Sequence, residues 1–168
     1  MNIFELARKQ EIQAETTYRN LAKAAESEDL RNIFTRLATD EKLHIEFINK
    51  MEKSKKAENI GIINSDILSL AHDAINKMKI KGEKFSATTS QSDTYKIARD
   101  QEAEAEKLYH EFAKQSADED ERMIFFALAA EEHKHYTVLE NIIEFINYPA
   151  NHPEDAEFTS QEKYMNLD

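Results

Sequence analysis

The sequence predicts an all-α protein: a four-helix bundle assembled from two copies of one helical hairpin, joined by a long crossover connection. Two observations carry the prediction. The strongest helix breakers are confined to a few places, Gly61 and Gly82 in the middle of the chain and Pro149 and Pro153 near its end, so residues 2–53 and 93–147 are free of them. Both blocks are rich in Ala, Glu, Lys, Leu and Arg, and each is interrupted once by a polar stretch, 26–29 in the first and 116–120 in the second. Each block therefore reads as two helices and a short turn. The second observation is a repeat. The segment from Ala7 recurs from Ala98, and at an ungapped offset of 91 residues 18 of the 38 positions from 7 to 44 are identical. Such self-similarity is the mark of one duplicated structural unit.

Two hairpins close into a bundle when the chain between them crosses its length, and residues 54–92 are long enough to do so. A short helix is expected inside this crossover. Ser65 and Asp66 offer a cap, and Ile67, Ala71, Ile75 and Met78 fall on one side before Gly82 and the polar run 86–93. Residues 1–147 thus form one bundle domain and 148–168 a tail, in which Phe158 and Tyr164 suggest docking.

Composition narrows the partners. A net charge of -11, with no basic cluster interleaved with aromatics, argues against nucleic acid and anionic membrane surfaces. The absence of cysteine excludes disulfides, a catalytic thiol and iron–sulfur or rubredoxin-type centres within this chain. No apolar h-region opens the chain and no run approaches the ~18 apolar residues that span a bilayer, so the default location is cytoplasmic.

Alternating spacings of three and four define the stripe that each helix turns inward. The stripes read Phe4, Ala7, Glu11, Ala14, Tyr18, Leu21 and Ala25, then Leu30, Phe34, Leu37, Glu41, His44, Ile48 and Met51. In register, the second copy gives Tyr95, Ala98, Glu102, Ala105, Tyr109, Phe112 and Ser116, then Phe125, Leu128, Glu132, His135, Leu139, Ile142 and Ile146. Four glutamates and two histidines thus lie on otherwise mostly apolar faces. Burying four unpaired carboxylates costs several kcal/mol each, comparable to the stability of a whole domain. Protons or metal ions must neutralise them. Two divalent cations balance four carboxylates, and neutral imidazoles add nitrogen ligands without altering that sum.

One Glu-x-x-His match is expected about once by chance in a chain of this composition. Two at the same 91-residue offset, both on core stripes and each preceded by a core glutamate thirty residues upstream, form a single constellation. The pattern Glu11, Tyr18, Glu41, His44, repeated as Glu102, Tyr109, Glu132, His135, resembles the rubrerythrin-like branch of the ferritin-like di-metal carboxylate superfamily. Residues 153–158 also resemble endings seen in that branch. The resemblance implies a ferritin-like bundle in which Glu41 and Glu132 bridge two metal ions, Glu11 and Glu102 are terminal carboxylates, and His44 and His135 each complete one metal. It further implies two iron ions, with manganese or a mixed pair chemically allowed by the oxygen-rich donor set.

The activity implied is non-haem di-iron reduction of hydrogen peroxide or dioxygen, with electrons from a separate donor such as a rubredoxin, in a homodimer. A ferroxidase or iron-handling role and a non-catalytic helical module with a structural metal site are the alternatives. Two departures from the family matter. Rubrerythrins carry a further glutamate at the position of Ala105, matched here by Ala14, and they carry a rubredoxin module that this chain lacks.

Other polar residues have blander readings. Tyr18 and Tyr109 are either core aromatics or hydrogen-bond donors to a ligating carboxylate. Glu15 and Glu106, one turn beyond Glu11 and Glu102, are expected to be solvated or paired rather than ligands. His133 lies about 200° around the helix from His135 and reads as a surface residue, as do His72, His110 and His152. The acidic run 118–121 reads as a loop and first-turn cluster favoured by the helix dipole.

Overall fold

The computed structural model describes residues 1–83 apart from 55, 57, 59 and 62, together with residues 89–147. Five helices follow in order: α1 (Ile3–Ala24), α2 (Glu28–Ser54), α3 (Ile67–Ile80), α4 (Thr89–Gln115) and α5 (Glu119–Asn147). Helix α1 pairs with α2 and α4 with α5, each pair joined by three residues, while α3 lies in the crossover and packs against α2 and α5. This is the bundle of two hairpins that the repeat predicts. The tail, with Phe158, Tyr164 and His152, lies outside the described residues.

The helix ends have local causes. Asn2 caps α1 in a reciprocal box: its side chain accepts from the Glu5 amide at 2.8 Å, and the Glu5 carboxylate accepts from the Asn2 amide at 3.1 Å. Asp118 caps α5 by accepting from the Glu121 amide at 2.9 Å, and Glu119, Asp120 and Glu121 fill the first turn, where the helix dipole favours negative charge. Helix α3 closes in a Schellman motif. Glu83 N–H reaches Met78 O and Gly82 N–H reaches Lys79 O, both at 3.1 Å, and Gly82 takes the left-handed φ of 64° that this cap requires.

Two details of the crossover differ from expectation. Asp66 occupies the N-cap position of α3 without a side-chain cap bond and instead pairs with Arg36 at 2.7 Å. The Ile67 amide is taken by Ser65 Oγ at 3.2 Å. Helix α4 begins at Thr89 rather than at residue 93, extending through polar residues, and Thr94 Oγ1 donates back to this extra turn at Ser90 O, 2.9 Å away.

The predicted stripes are buried along nearly their full length, with Ala14 and Ile146 only partly covered. The buried faces are wider than the stripes. Ile33 and Ala38 on α2, and Ile124, Val138 and Ile143 on α5, are buried as well. Helix α3 covers α2 and α5 on a second side and shares one apolar cluster with Ile33, Ala38, Val138 and Ile143, so a narrow seam underestimates their apolar faces; Ile124 is buried in the other cluster, away from α3.

The core falls into two apolar clusters. One holds Leu21, Leu30, Phe34, Leu37, Ile67, Met78, Tyr95, Leu139 and Ile142; the other holds Phe4, Ile48, Met51, Phe112, Phe125 and Leu128. Phe125 has no exposed surface and packs against Phe4, Tyr109 and Phe112 with ring centroids 5.4–6.3 Å apart. Replacement Phe125→Ala should destabilise the protein by about 3–5 kcal/mol, read as a lower urea midpoint at unchanged slope.

Candidate metal centre

Between the apolar clusters lies a layer of Glu11, Glu41, His44, Glu102, Glu132 and His135, each at most 2% exposed. Helix α1 supplies Glu11, α4 supplies Glu102, and α2 and α5 each supply a Glu-x-x-His pair from one helical face. The structure brings all six together in two donor groups that could hold a metal ion: Glu11, Glu41, His44 and Glu132, and Glu41, Glu102, Glu132 and His135. Within each group the donor atoms lie within 4.8 Å of one another. Glu41 and Glu132 belong to both groups. Each group is completed by one glutamate and one histidine of its own.

The contacts in this layer suit a cation better than they suit each other. Glu11 Oε2, Glu41 Oε2 and Glu132 Oε1 approach His44 Nδ1 at 3.1, 3.2 and 3.1 Å. That nitrogen carries at most one proton, so it satisfies one oxygen. Among the described residues Glu41 Oε2, Glu102 Oε2, Glu132 Oε1 and His135 Nε2 are buried with no hydrogen-bond partner. Orphaned carboxylate oxygens in a dry layer cost heavily unless a charge faces them. A site with oxygen and imidazole donors for two divalent ions meets that need, so the residues present fit the metal that their pattern implies.

The tyrosines brace this layer reciprocally. Tyr18 on α1 donates its hydroxyl to Glu102 Oε1 on α4, and Tyr109 on α4 donates to Glu11 Oε1 on α1. Each hairpin thus fixes the terminal glutamate of the other. Burial, followed by the charges of Glu102 and Glu41 for Tyr18 and of Glu11 and Glu132 for Tyr109, pushes both phenols well above their ordinary range, so both keep the proton they donate.

Stripe reading at alternating spacings of three and four missed the carboxylates directly before each Glu-x-x-His. Asp40 and Glu131 occupy equivalent places in the two repeats and are both 2% exposed. Asp40 Oδ2 lies 3.5 Å from His135 Nε2 and accepts the Ser65 hydroxyl, while Arg36 donates to Oδ1 at 3.1 Å. These bonds outweigh burial and hold Asp40 down at about 2, an ionised carboxylate facing the outer nitrogen of a candidate ligand. Glu131 spends its oxygens on Lys134 Nζ at 2.6 Å and the Ser65 amide at 2.9 Å. Ser65, in the crossover, therefore ties both carboxylates. Their shared register in the repeat was the signal available in the sequence.

The remaining polar candidates fall outside the buried layer. Glu15 pairs with Arg19 at 2.6 Å, and Glu106 faces His133 at 3.1 Å and His110 at 3.8 Å. His72 and His133 are exposed and His110 is half-buried, all three outside the buried layer as their spacing predicts.

Fold and site together define a helical bundle with a buried carboxylate–histidine centre of the ferritin-like kind. A family model for rubrerythrin matches residues 2–143, and the chain belongs to that family. No curated protein and no solved structure matches it. Among the described residues no helix is long and apolar enough to cross a membrane.

Without a metal the layer must hold protons. Burial, reinforced by neighbouring carboxylates, raises Glu41 to about 8 and Glu132 to about 7, and raises Glu102 well above the ordinary range. Burial opposes charge on His44 and His135, but their carboxylate neighbours outweigh it and raise both. Glu11 is the exception: its bonds to His44, Glu41 and Tyr109 overcome burial and lower it. A group whose folded pKa is raised stabilises the fold fully below its unfolded pKa and loses that contribution as pH climbs through the folded value. The metal-free protein should therefore lose stability from pH 5 to pH 8, with its Tm falling on the order of 5 °C or more. Divalent metal, which displaces these protons, should raise Tm more at pH 8 than at pH 5. Calorimetry of metal-free and metal-loaded protein checks both slopes.

Proposed function

We propose that the protein is a di-iron oxidoreductase that reduces hydrogen peroxide or dioxygen with electrons delivered by a separate protein. The observation that carries this reading is the pair of donor groups sharing Glu41 and Glu132, since two ions held by common carboxylates can act on one small oxidant. Glu11 and His44 would complete one iron, and Glu102 and His135 the other. Bound as a ferrous pair, the metal supplies the two electrons that, with two protons, convert one peroxide into two waters.

The protein's part is positional and electrostatic. Tyr18 and Tyr109 keep Glu102 and Glu11 aimed inward, and Asp40 faces the outer nitrogen of His135. The apolar clusters on both sides exclude water from the layer, which strengthens every charge interaction inside it. Ala14 and Ala105, small and close to the layer, put no further carboxylate beside Glu11 and Glu102. No cysteine occurs among these 168 residues, so they hold no thiolate-ligated iron centre, and a separate carrier is the reductant this reading calls for.

Anaerobically reconstituted protein should contain about two irons per chain, and its ferrous form should change absorbance on mixing with peroxide in stopped flow. Glu41→Gln/Glu132→Gln should abolish both signals. Fewer than about one iron per chain, or no optical change with peroxide, would overturn the proposal. Release of iron after oxidation would identify iron handling instead.

A further inference from the structure

An oxidant that acts on the buried layer must first reach it, and one seam between the bundle helices is built unlike the others. Tyr18 of α1 bonds Glu102 of α4 and Tyr109 of α4 bonds Glu11 of α1, so α1 and α4 run antiparallel with two cross-links between them. Ala14 lies between Glu11 and Tyr18 on its helix, and Ala105 between Glu102 and Tyr109 on the other. That register sets the two alanines across from each other, level with the layer and between the cross-links. Glu11, Tyr18, Glu102, Ala105 and Tyr109 are all more than nine-tenths buried, whereas solvent touches Ala14. A methyl group is all that α1 places here between water and the candidate metal centre.

No charged side chain guards this seam. Gln10 and Thr17 stand a turn to either side of Ala14, and Gln101 and Leu108 flank Ala105 in the same way. All four are partly exposed and none is charged, in a chain with 33% charged residues. The other seams are shut at this height. Ser65 bonds Asp40 and Glu131 where the crossover lies over α2 and α5. Inside the hairpins the residues next to His44 and His135 are the large Ile45 and Tyr136, and the pairs Glu15–Arg19 and Glu106–His133 add charge there.

The inner end of the seam holds an unsatisfied group. Glu102 is 2% exposed, Tyr18 holds its Oε1 from across the seam, and its Oε2 has no hydrogen-bond partner among the described residues. A buried oxygen left bare in this way calls for a partner from outside the chain. Glu102 also belongs to the donor group with Glu41, Glu132 and His135, so a molecule passing Ala14 and Ala105 arrives at the candidate metal position itself.

We infer that hydrogen peroxide or dioxygen enters between α1 and α4, and that Ala14 and Ala105 set the largest oxidant admitted. The identity of the oxidant rests on the oxidoreductase reading, while the passage follows from the packing alone. Both molecules are small and neutral, so an uncharged seam neither repels nor traps them, and the amides of Gln10 and Gln101 offer hydrogen bonds to peroxide at its mouth. Organic hydroperoxides carry a branched body that two opposed methyl groups exclude.

Two substitutions at Ala14 test the passage in opposite directions. Ala14→Leu places a larger side chain in the opening without lowering helix propensity much. Nitric oxide, a neutral probe close in size to dioxygen, is mixed with the ferrous protein and followed by absorbance. Its association and dissociation rate constants should both fall by at least about tenfold in Ala14→Leu while their ratio stays unchanged, because a narrowed passage slows entry and exit alike. Ala14→Gly should raise the single-turnover rate with tert-butyl hydroperoxide, relative to that with hydrogen peroxide, by at least about tenfold. Iron content and far-UV circular dichroism should match the wild type in both variants. Unchanged rate constants in Ala14→Leu overturn the inference, and so does a changed ratio, which would mean that Ala14 acts on the ligands and not on access. Should Ala14→Leu misfold, an unaltered preference between the two hydroperoxides in Ala14→Gly equally overturns it. A metal-free measurement separates this inference from the oxidoreductase reading. Dissolved dioxygen is paramagnetic, and in metal-free protein it should relax the Ala105 methyl signal more than that of Ala98, which is equally buried on the same helix. Equal relaxation of the two methyls overturns the passage, whereas failure of the oxidoreductase reading shows itself separately as a ferrous protein that peroxide leaves unchanged.

Discussion

Everything in this molecule is arranged around one electrostatic problem: four carboxylates and two imidazoles held in a dry layer between two apolar clusters. Carboxylates so placed repel one another, and burial strengthens the repulsion while removing the water that would relieve it. The layer persists because other groups constrain it. Tyrosine hydroxyls from opposite hairpins bond the two outer glutamates, and the imidazoles lie between carboxylates of different helices. Metal ions held by the two donor groups would complete the charge balance that these hydrogen bonds only begin.

Duplication explains how such a layer is built economically. Each hairpin carries one Glu and one Glu-x-x-His, and neither hairpin alone encloses a donor group, since both groups draw on residues from both copies. Pairing the hairpins buries the charges and creates the site in one step. The reciprocal tyrosine bonds follow the same logic, because each runs from one hairpin to the other. Membership of the rubrerythrin family accords with this plan. Alanine at positions 14 and 105 keeps α1 and α4 alike where the family's extra glutamate would make them differ.

The two copies have nevertheless diverged around their common interior. Asp40 faces His135 and is held by Arg36 and Ser65, whereas its equivalent Glu131 is held by Lys134 and the Ser65 backbone. The outer face diverges too, with Glu15 and Arg19 paired on one hairpin and Glu106 set between two histidines on the other. The dry layer tolerates little change because any lost partner leaves a buried charge. The surrounding shell has water or a substitute partner available, so it can vary.

Much of this was legible in the sequence, for a physical reason. Helical periodicity and a repeat are local patterns, and a charged residue on an apolar stripe announces itself wherever the stripe goes. Thus the hairpins, the six candidate ligands and the surface placement of His133 followed from spacing alone. The pairings did not. No local pattern says that Tyr18 bonds Glu102 rather than Glu11, or that Ser65 reaches both Asp40 and Glu131, because those contacts join residues 25 to 84 positions apart. The width of the buried faces on α2 and α5 was equally hidden, since it depends on where α3 comes to rest. Sequence by itself determined the central stripe that each bundle helix turns inward; only tertiary packing decided how wide the buried faces are and which side chains meet, because contact across helices depends on rotation, register and crossover path together.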